Sequence, residues 1–424
     1  MTRPVRDAAA RYVRLLGQRP FNVLVAAEQI STAGDSITVL ALPIFVVDST
    51  GSPLLAGLAL AARFLPWIFV GPLAAVWTDR SSRKAVMIGC DLGRAALVAT
   101  LALLDPGSAQ VPLVLAISFA GGSLSAIQRA ARSPVVPSVV SRDDYPTAVA
   151  LQRTLLVSSA ALGSAAGGLL IASLGARTGF AVDALTFAIS AGLVATVAIA
   201  VPSGRRSVHG GTLEGWRQVF GHAPIARALL TSTVASLLNG GAALLATRAQ
   251  SALFGGDAAI SGNLLAMISI GTAAGAVVLG SSARLRQSFH PAAGPAVFVL
   301  AYAGVVAVPQ YDVALATWFL AGVATGAQLV YLNVLTVRLV PSMVLGRAGA
   351  VINAVGYTGW VAGPYLTGVL EERLGPRYAF GGLAAAGTVL LLAVLLVRWP
   401  ADAGGQAGAT RAAEGELERT REGR

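Results

Sequence analysis

Ala75-Val-Trp-Thr-Asp79-Arg80-Ser-Ser-Arg83-Lys84 is a short basic turn between two apolar runs, one beginning near Leu54 and the next at Ala85. Each run must bury itself in something apolar, and the turn between them is too charged to follow. A loop of this kind stays on the cytoplasmic face of a membrane. The rest of the chain agrees. Of its 424 residues 55% are apolar and only 12% are charged, too little polar surface to cover a soluble protein of this size. The net charge of +11 sits in single arginines and small groups between apolar runs. It lacks the stripe that nucleic-acid binding needs, so no nucleic-acid partner is expected.

Apolar runs recur at 21–47, 54–77, 85–104, 111–130, 148–172 and 180–201, then at 226–247, 260–279, 293–308, 313–335, 348–370 and 379–397. Each is near the ~20 residues that cross a bilayer as a helix. The expected class is an all-α membrane protein of twelve transmembrane helices in two six-helix bundles. Residues 1–20 form an arginine-bearing cytoplasmic lead-in without the apolar core of a signal peptide. Residues 21–201 form the first bundle and 202–225 a cytoplasmic linker, with a surface helix around Glu214-Gly-Trp-Arg217. Residues 226–399 form the second bundle, and 400–424 are a polar tail expected to be disordered. Basic residues crowd alternate loops, which puts both termini in the cytoplasm.

An internal repeat supports the count. Leu174-Gly-Ala-Arg177-Thr-Gly-Phe180 matches Leu374-Gly-Pro-Arg377-Tyr-Ala-Phe380 at an offset of 200, and Gly163 and Gly168 fall opposite Gly363 and Gly368. The second half therefore reads as a copy of the first in parallel orientation.

Several chemistries are excluded. Lys84 is the only lysine, so there is no Walker A loop, and Cys90 is the only cysteine, so there is no internal disulfide or thiolate metal site. No metal site, no nucleophile–base pair, no catalytic residue and no bound cofactor are expected. An enzyme is the least favoured reading.

The 75–84 turn resembles the loop signature of major facilitator superfamily transporters, with Asp79, Arg80, Arg83 and Lys84 in place, Ala75 where that family has Gly, and Ser82 where many members have a second Gly. Gly34-Asp35, Arg63-Phe-Leu-Pro66, Asp91-Leu-Gly-Arg94-Ala, Val182-Asp183-Ala-Leu-Thr-Phe187, Glu214-Gly-Trp-Arg217 and Gly346-Arg347 resemble the macrolide and enterobactin exporter branch. The resemblance covers nearly the whole chain except the tail. It implies a multi-pass transporter of the bacterial inner membrane, acting as a monomer. Such a protein exports a small amphipathic molecule (a drug, macrolide, siderophore or other secondary metabolite) against a proton gradient. The chain departs from the exporters at Ser164, where their fifth helix carries Pro, and in having no arginine within 111–127 of its fourth helix. An uncoupled facilitator or lipid flippase on the same fold, or a non-transporting membrane receptor or assembly partner, stay open as alternatives.

An ionisable residue inside a span is expensive and therefore a functional candidate. Glu28 and Asp35 lie seven residues apart on one face of the first helix, with Thr32 between them. Asp35 and Arg63 fall near the middle of their spans. Glu28, Asp35 and Arg63 are thus the expected proton-coupling residues: a change in the spacing of Asp35 and Arg63 would load or release a proton. The alternative is a static ion pair. Asp79, Arg80, Arg83, Lys84, Asp91 and Arg94 are expected to form a charge cluster that latches the inner gate, and Asp183 to be structural. Thr32, Trp67, Ser236, Asn239, Gln328, Asn353, Tyr357 and Trp360 mix aromatic, amide and hydroxyl groups suited to an amphipathic ligand; interhelical hydrogen bonding is the competing role. Gly163, Gly167, Gly168, Gly363 and Pro364 are expected to serve close helix packing and bending.

Overall fold

A computed structural model describes residues 14–397 apart from 16, 79–80, 106–109, 142, 199–211 and 342–343. Most of the lead-in, much of the linker and the tail lie outside the described residues. The helices before the linker are α1 (Arg19–Thr50), α2 (Pro53–Phe64), α3 (Pro66–Thr78), α4 (Arg83–Leu103), α5 (Val111–Arg132), the short α6 (Val135–Val139), α7 (Tyr145–Leu174) and α8 (Ala176–Ala195). α9 (Thr212–Gly221) covers the expected surface helix. Then follow α10 (Ala223–Ala252), α11 (Ala258–Ser281), the short α12 (Ala283–Ser288), α13 (Ala293–Ala307), α14 (Tyr311–Leu339), α15 (Leu345–Leu374) and α16 (Pro376–Leu396).

Among the described residues, ten spans are long and apolar enough to cross a membrane. The 15-residue α13 and the 30-residue α15, whose last turn carries Glu371, Glu372 and Arg373, bring the number to twelve. Large apolar side chains such as Leu103, Leu162 and Leu300 are largely exposed, as lipid-facing positions must be.

Local sequence sets the helix ends. α1 stops at Gly51, whose φ of 71° few other residues accept. Ser52 caps α2 by accepting from the Leu55 amide at 3.3 Å, and Pro53 fills the first turn, where its missing N–H costs nothing. The second span, read from the sequence as one run over 54–77, is broken at Leu65. Leu65 keeps helical dihedrals and donates to the Ala61 carbonyl, but Pro66 supplies no N–H to continue the ladder.

The repeat extends to individual bonds. α7 and α15 end at Gly175 and Gly375, with φ of 81° and 80°. Two residues later Arg177 donates to the Ala102 carbonyl at 2.9 Å and Arg377 to the Val306 carbonyl at 3.0 Å. Phe180 and Phe380 are both fully buried. Phe380 packs edge-on into a ring cluster with Tyr302 and Trp318, and the Tyr302 hydroxyl donates to the Leu238 carbonyl at 2.5 Å.

The two sets of helices meet along two seams, α7 on α11 and α2 on α15. Lipid tails provide no hydrophobic drive for helices to associate, so close backbone contact must hold them. A Cβ on Gly168 would come within 2.7 Å of the Ala258 carbonyl oxygen; one on Gly368 would come within 2.7 Å of the Pro53 carbonyl oxygen. Within the bundles, a Cβ on Gly163 would press on the Ala33 backbone, one on Gly363 on the Leu237 carbonyl, and one on Gly167 on Ile37. Glu372 closes the second seam by accepting from the Ser52 hydroxyl at 2.8 Å and the Leu54 amide at 3.2 Å. We call this the far end; the near end carries Thr78, Arg132 and Tyr145.

Candidate functional site

Between the halves lies a cavity of about 560 Å³ that runs from the depth of Asp35 toward Arg132 and Tyr145 at the near end. Its centre is built on α1. Gly34 has no Cβ because the carboxyl of Asp183 and the hydroxyl of Thr186, both on α8, occupy that space. Gly122 on α5 likewise makes room for the Arg63 carbonyl of α2. These two approaches bring four helices around one carboxylate.

Arg63 and Arg94 both donate to Asp35, Arg94 reaching each carboxylate oxygen at 2.5 Å. Arg94 also donates to the Gln128 side-chain oxygen at 2.9 Å and lies 3.8 Å from the centre of the Phe187 ring. Gln128 in turn donates to Asp91 at 2.5 Å, whose other oxygen accepts from Ser190 at 2.8 Å. Asp183 accepts from Thr38 at 2.5 Å and from Thr186 at 3.1 Å. Asp91 and Asp183 are completely buried, and neither has a guanidinium within ion-pair distance among the described residues. The Asp35 side chain keeps 30% exposure, against 4% for Arg94. The buried network thus meets the cavity at Asp35.

This corrects one expectation. Arg94 and Asp91 engage Asp35, Gln128 and Ser190 and do not meet Lys84 in a gate cluster. Arg94 lies eleven residues beyond Arg83, about 16 Å along a helix, which is the depth of Asp35. Lys84 donates to the Ala195 carbonyl at 2.6 Å instead, and Asp79 and Arg80 lie outside the described residues. The guanidinium buried beside Asp35 comes from α4, the third span. Asp183, expected to be structural, accepts from Thr38 of α1 and from Thr186 and so ties α8 to α1.

Of the expected ligand surface, Thr32, Trp67 and Tyr357 line the cavity with Glu28, Asp35 and Arg63. Trp67 and Tyr357 stack across the halves, ring centres 4.9 Å apart. Ser236, Asn239, Asn353 and Trp360 are not among the cavity's lining residues. Trp360 packs on Phe64 at 5.2 Å. Gln328 is buried and donates to Thr231 at 3.0 Å and to the Ala228 carbonyl at 3.3 Å, joining α14 to α10. Gln328 and Trp360 thus meet other helices, and Asn353 is exposed outside the cavity.

Sequence reasoning missed the near end of the cavity, where Arg129, Arg132 and Arg153 join the lining. Arg129 and Arg132 were counted as loop charge. Arg153, an arginine inside an apolar run, was the available signal.

Comparison with known proteins gives the following. A family model described as "Transmembrane secretion effector" matches residues 13–412. An uncharacterised MFS-type transporter of Mycobacterium tuberculosis is 33% identical over 105 residues, which are 24% of each chain. Macrolide efflux protein A of Streptococcus pyogenes is 27% identical over 42% of this chain and 44% of that one. The matches therefore span less than half the length of these relatives. A bacterial homologue of the human lysosomal transporter Spinster, solved inward-facing and unoccupied, superposes with a TM-score of 0.69 at 15% identity, over 88% of this chain and 93% of that one. A D-xylose–proton symporter superposes at 0.68 with 13% identity, over 89% and 98%. At these identities the structures speak for the fold alone.

Proposed function

This chain belongs to the transmembrane secretion effector family of major facilitator transporters, and we propose that it exports a small amphipathic organic molecule, such as a drug, macrolide, siderophore or other secondary metabolite, in exchange for protons. The observation that carries the reading is Asp35: one carboxylate at the wall of the cavity, held by guanidiniums from two other helices.

The mechanism follows from that geometry. Protonating Asp35 removes the charge that binds α1 to α2 and to α4, so proton occupancy and helix position become linked. Asp91 and Asp183, buried without an ion pair, offer two further places where a proton offsets the cost of a lone charge. In the state described, the seams are packed at the far end and the cavity lies toward the near end. Export requires the seams to part and the near end to close, which is alternating access about the cavity. The positive loops put the near end in the cytoplasm of a bacterial inner membrane, with both termini on that side. The proton gradient is then the sole energy source, and no cofactor takes part. The kinship to a macrolide efflux protein supports an amphipathic cargo.

The test is transport in proteoliposomes with an imposed pH gradient, comparing wild type with Asp35→Asn. We expect the variant to insert normally and to lose gradient-driven export. Export at the wild-type rate in the variant would remove Asp35 from the coupling. Export by wild type that ignores the gradient would indicate an uncoupled facilitator.

A further inference from the structure

Three arginines at the near end of the cavity have too little negative charge to meet. Arg132 reaches one carboxylate, Glu28, at 3.5 Å, and its Nε and Nη2 are buried without a hydrogen-bond partner. Glu28 is already engaged, since its second oxygen accepts from Gln152. Arg129 lies with its guanidinium 5.0 Å from the centre of the Trp67 ring, and no carboxylate stands within ion-pair distance of it among the described residues. Arg153 has no such partner either among the described residues; it feels repulsion from Arg129 and attraction from Glu28, the carboxylate that Arg132 and Gln152 already share.

Positive loops do not explain Arg153. Arg153 is eight residues into α7, about 12 Å from its start, and all three side chains line the cavity. Arg129 and Arg153 stand exposed in the open cavity, and Arg132 holds two buried donors unmet, so a group of opposite sign would complete the site. Guanidiniums suit that role, because their fixed fork of donors matches the oxygens of a carboxylate, phosphate or sulfonate. Beside them the stacked pair of Trp67 and Tyr357 offers a flat apolar surface contributed by both halves.

We infer that this end of the cavity is a recognition site for an organic anion, whose acidic group binds Arg129, Arg132 and Arg153 and whose apolar body lies on Trp67 and Tyr357. The inference rests on the transport reading and names the class of molecule carried. It narrows the cargo away from cationic compounds. The same chemistry occurs in a soluble organic acid and in an anionic lipid headgroup.

Binding tests this without transport. Pyrenebutyrate and a trimethylammonium analogue with the same pyrene body are titrated onto the purified protein in an uncharged detergent, reading energy transfer from tryptophan. The anion should bind at least about tenfold more tightly, as two or more charge-assisted hydrogen bonds provide. Arg129→Gln with Arg153→Gln should erase that preference, and the matching Lys substitutions should keep most of it. Displacement of the probe by benzoate marks a soluble acid as the source; displacement by lysophosphatidate alone marks a lipid. Equal binding of the two probes, or a preference that survives in the double Gln variant, overturns the inference. A protein that binds the anion selectively but moves nothing across vesicles would overturn the transport reading and leave the binding site standing.

Discussion

Asp35 shares two guanidiniums unequally. Arg63 touches it at the cavity wall, whereas Arg94 contacts both oxygens, Gln128 and the face of Phe187 from a fully enclosed position. Either change leaves Asp35 one guanidinium, but losing Arg94 also removes the bond to Gln128 and the contact with Phe187. Arg94→Gln is therefore expected to lower the thermal unfolding midpoint more than Arg63→Gln. Circular dichroism of the two variants in detergent checks this, and a larger loss for Arg63→Gln would reverse their roles. At this scale the sequence was informative where a charge interrupts an apolar run, as at Asp35 and Arg63. It was misleading near span ends. Arg94, Arg129 and Arg132 all follow a basic turn or precede one, so charge alone gave no reason to set them apart from the loop. Which way such a side chain turns depends on partners such as Gln128 and Glu28, which lie on other helices and are invisible to local patterning.

Among elements, the seams depend on missing side chains. A Cβ on Gly57 would strike the carbonyl oxygen of Pro364, and one on Gly262 that of Ser164. Gly57→Leu should wedge α2 from α15 and disfavour the state closed at the far end. A cysteine placed at Ser52 in that background should then react faster with an impermeant maleimide; Cys90 is buried and adds little background. Gly89, with open space around its Cα, is the control, and its change to Leu should leave the rate unaltered. Equal rates in both variants would mean that the α2–α15 contact does not hold that end shut. Most helices were legible because lipid demands long apolar runs and punishes interruptions. The break at Leu65 was legible in principle from Pro66, but a run of apolar residues on both sides concealed it. Helix partners were not legible: Gly163, Gly167, Gly168 and Gly363 announce close contact without saying with what.

For the molecule as a whole, orientation in the membrane carries the argument about direction. Lys84 is the only lysine and lies at the near end, its ammonium on the Ala195 carbonyl. An impermeant amine-reactive reagent should modify Lys84 in inside-out vesicles and spare it in right-side-out ones, with peptide mapping to separate it from the terminal amine. Labelling from the outside would place the cavity's near end outside and turn export into uptake. The duplication has one further consequence. Ser164 and Pro364 occupy the same place in the two copies, each giving its carbonyl to a glycine across a seam. Proline has no amide hydrogen to return to the residue four positions earlier, so α15 lacks a rung that α7 keeps. The two copied segments are therefore unequal in stiffness, and in the proposed cycle we expect the side built on α15 to yield first, which gives a rocking motion a preferred opening move.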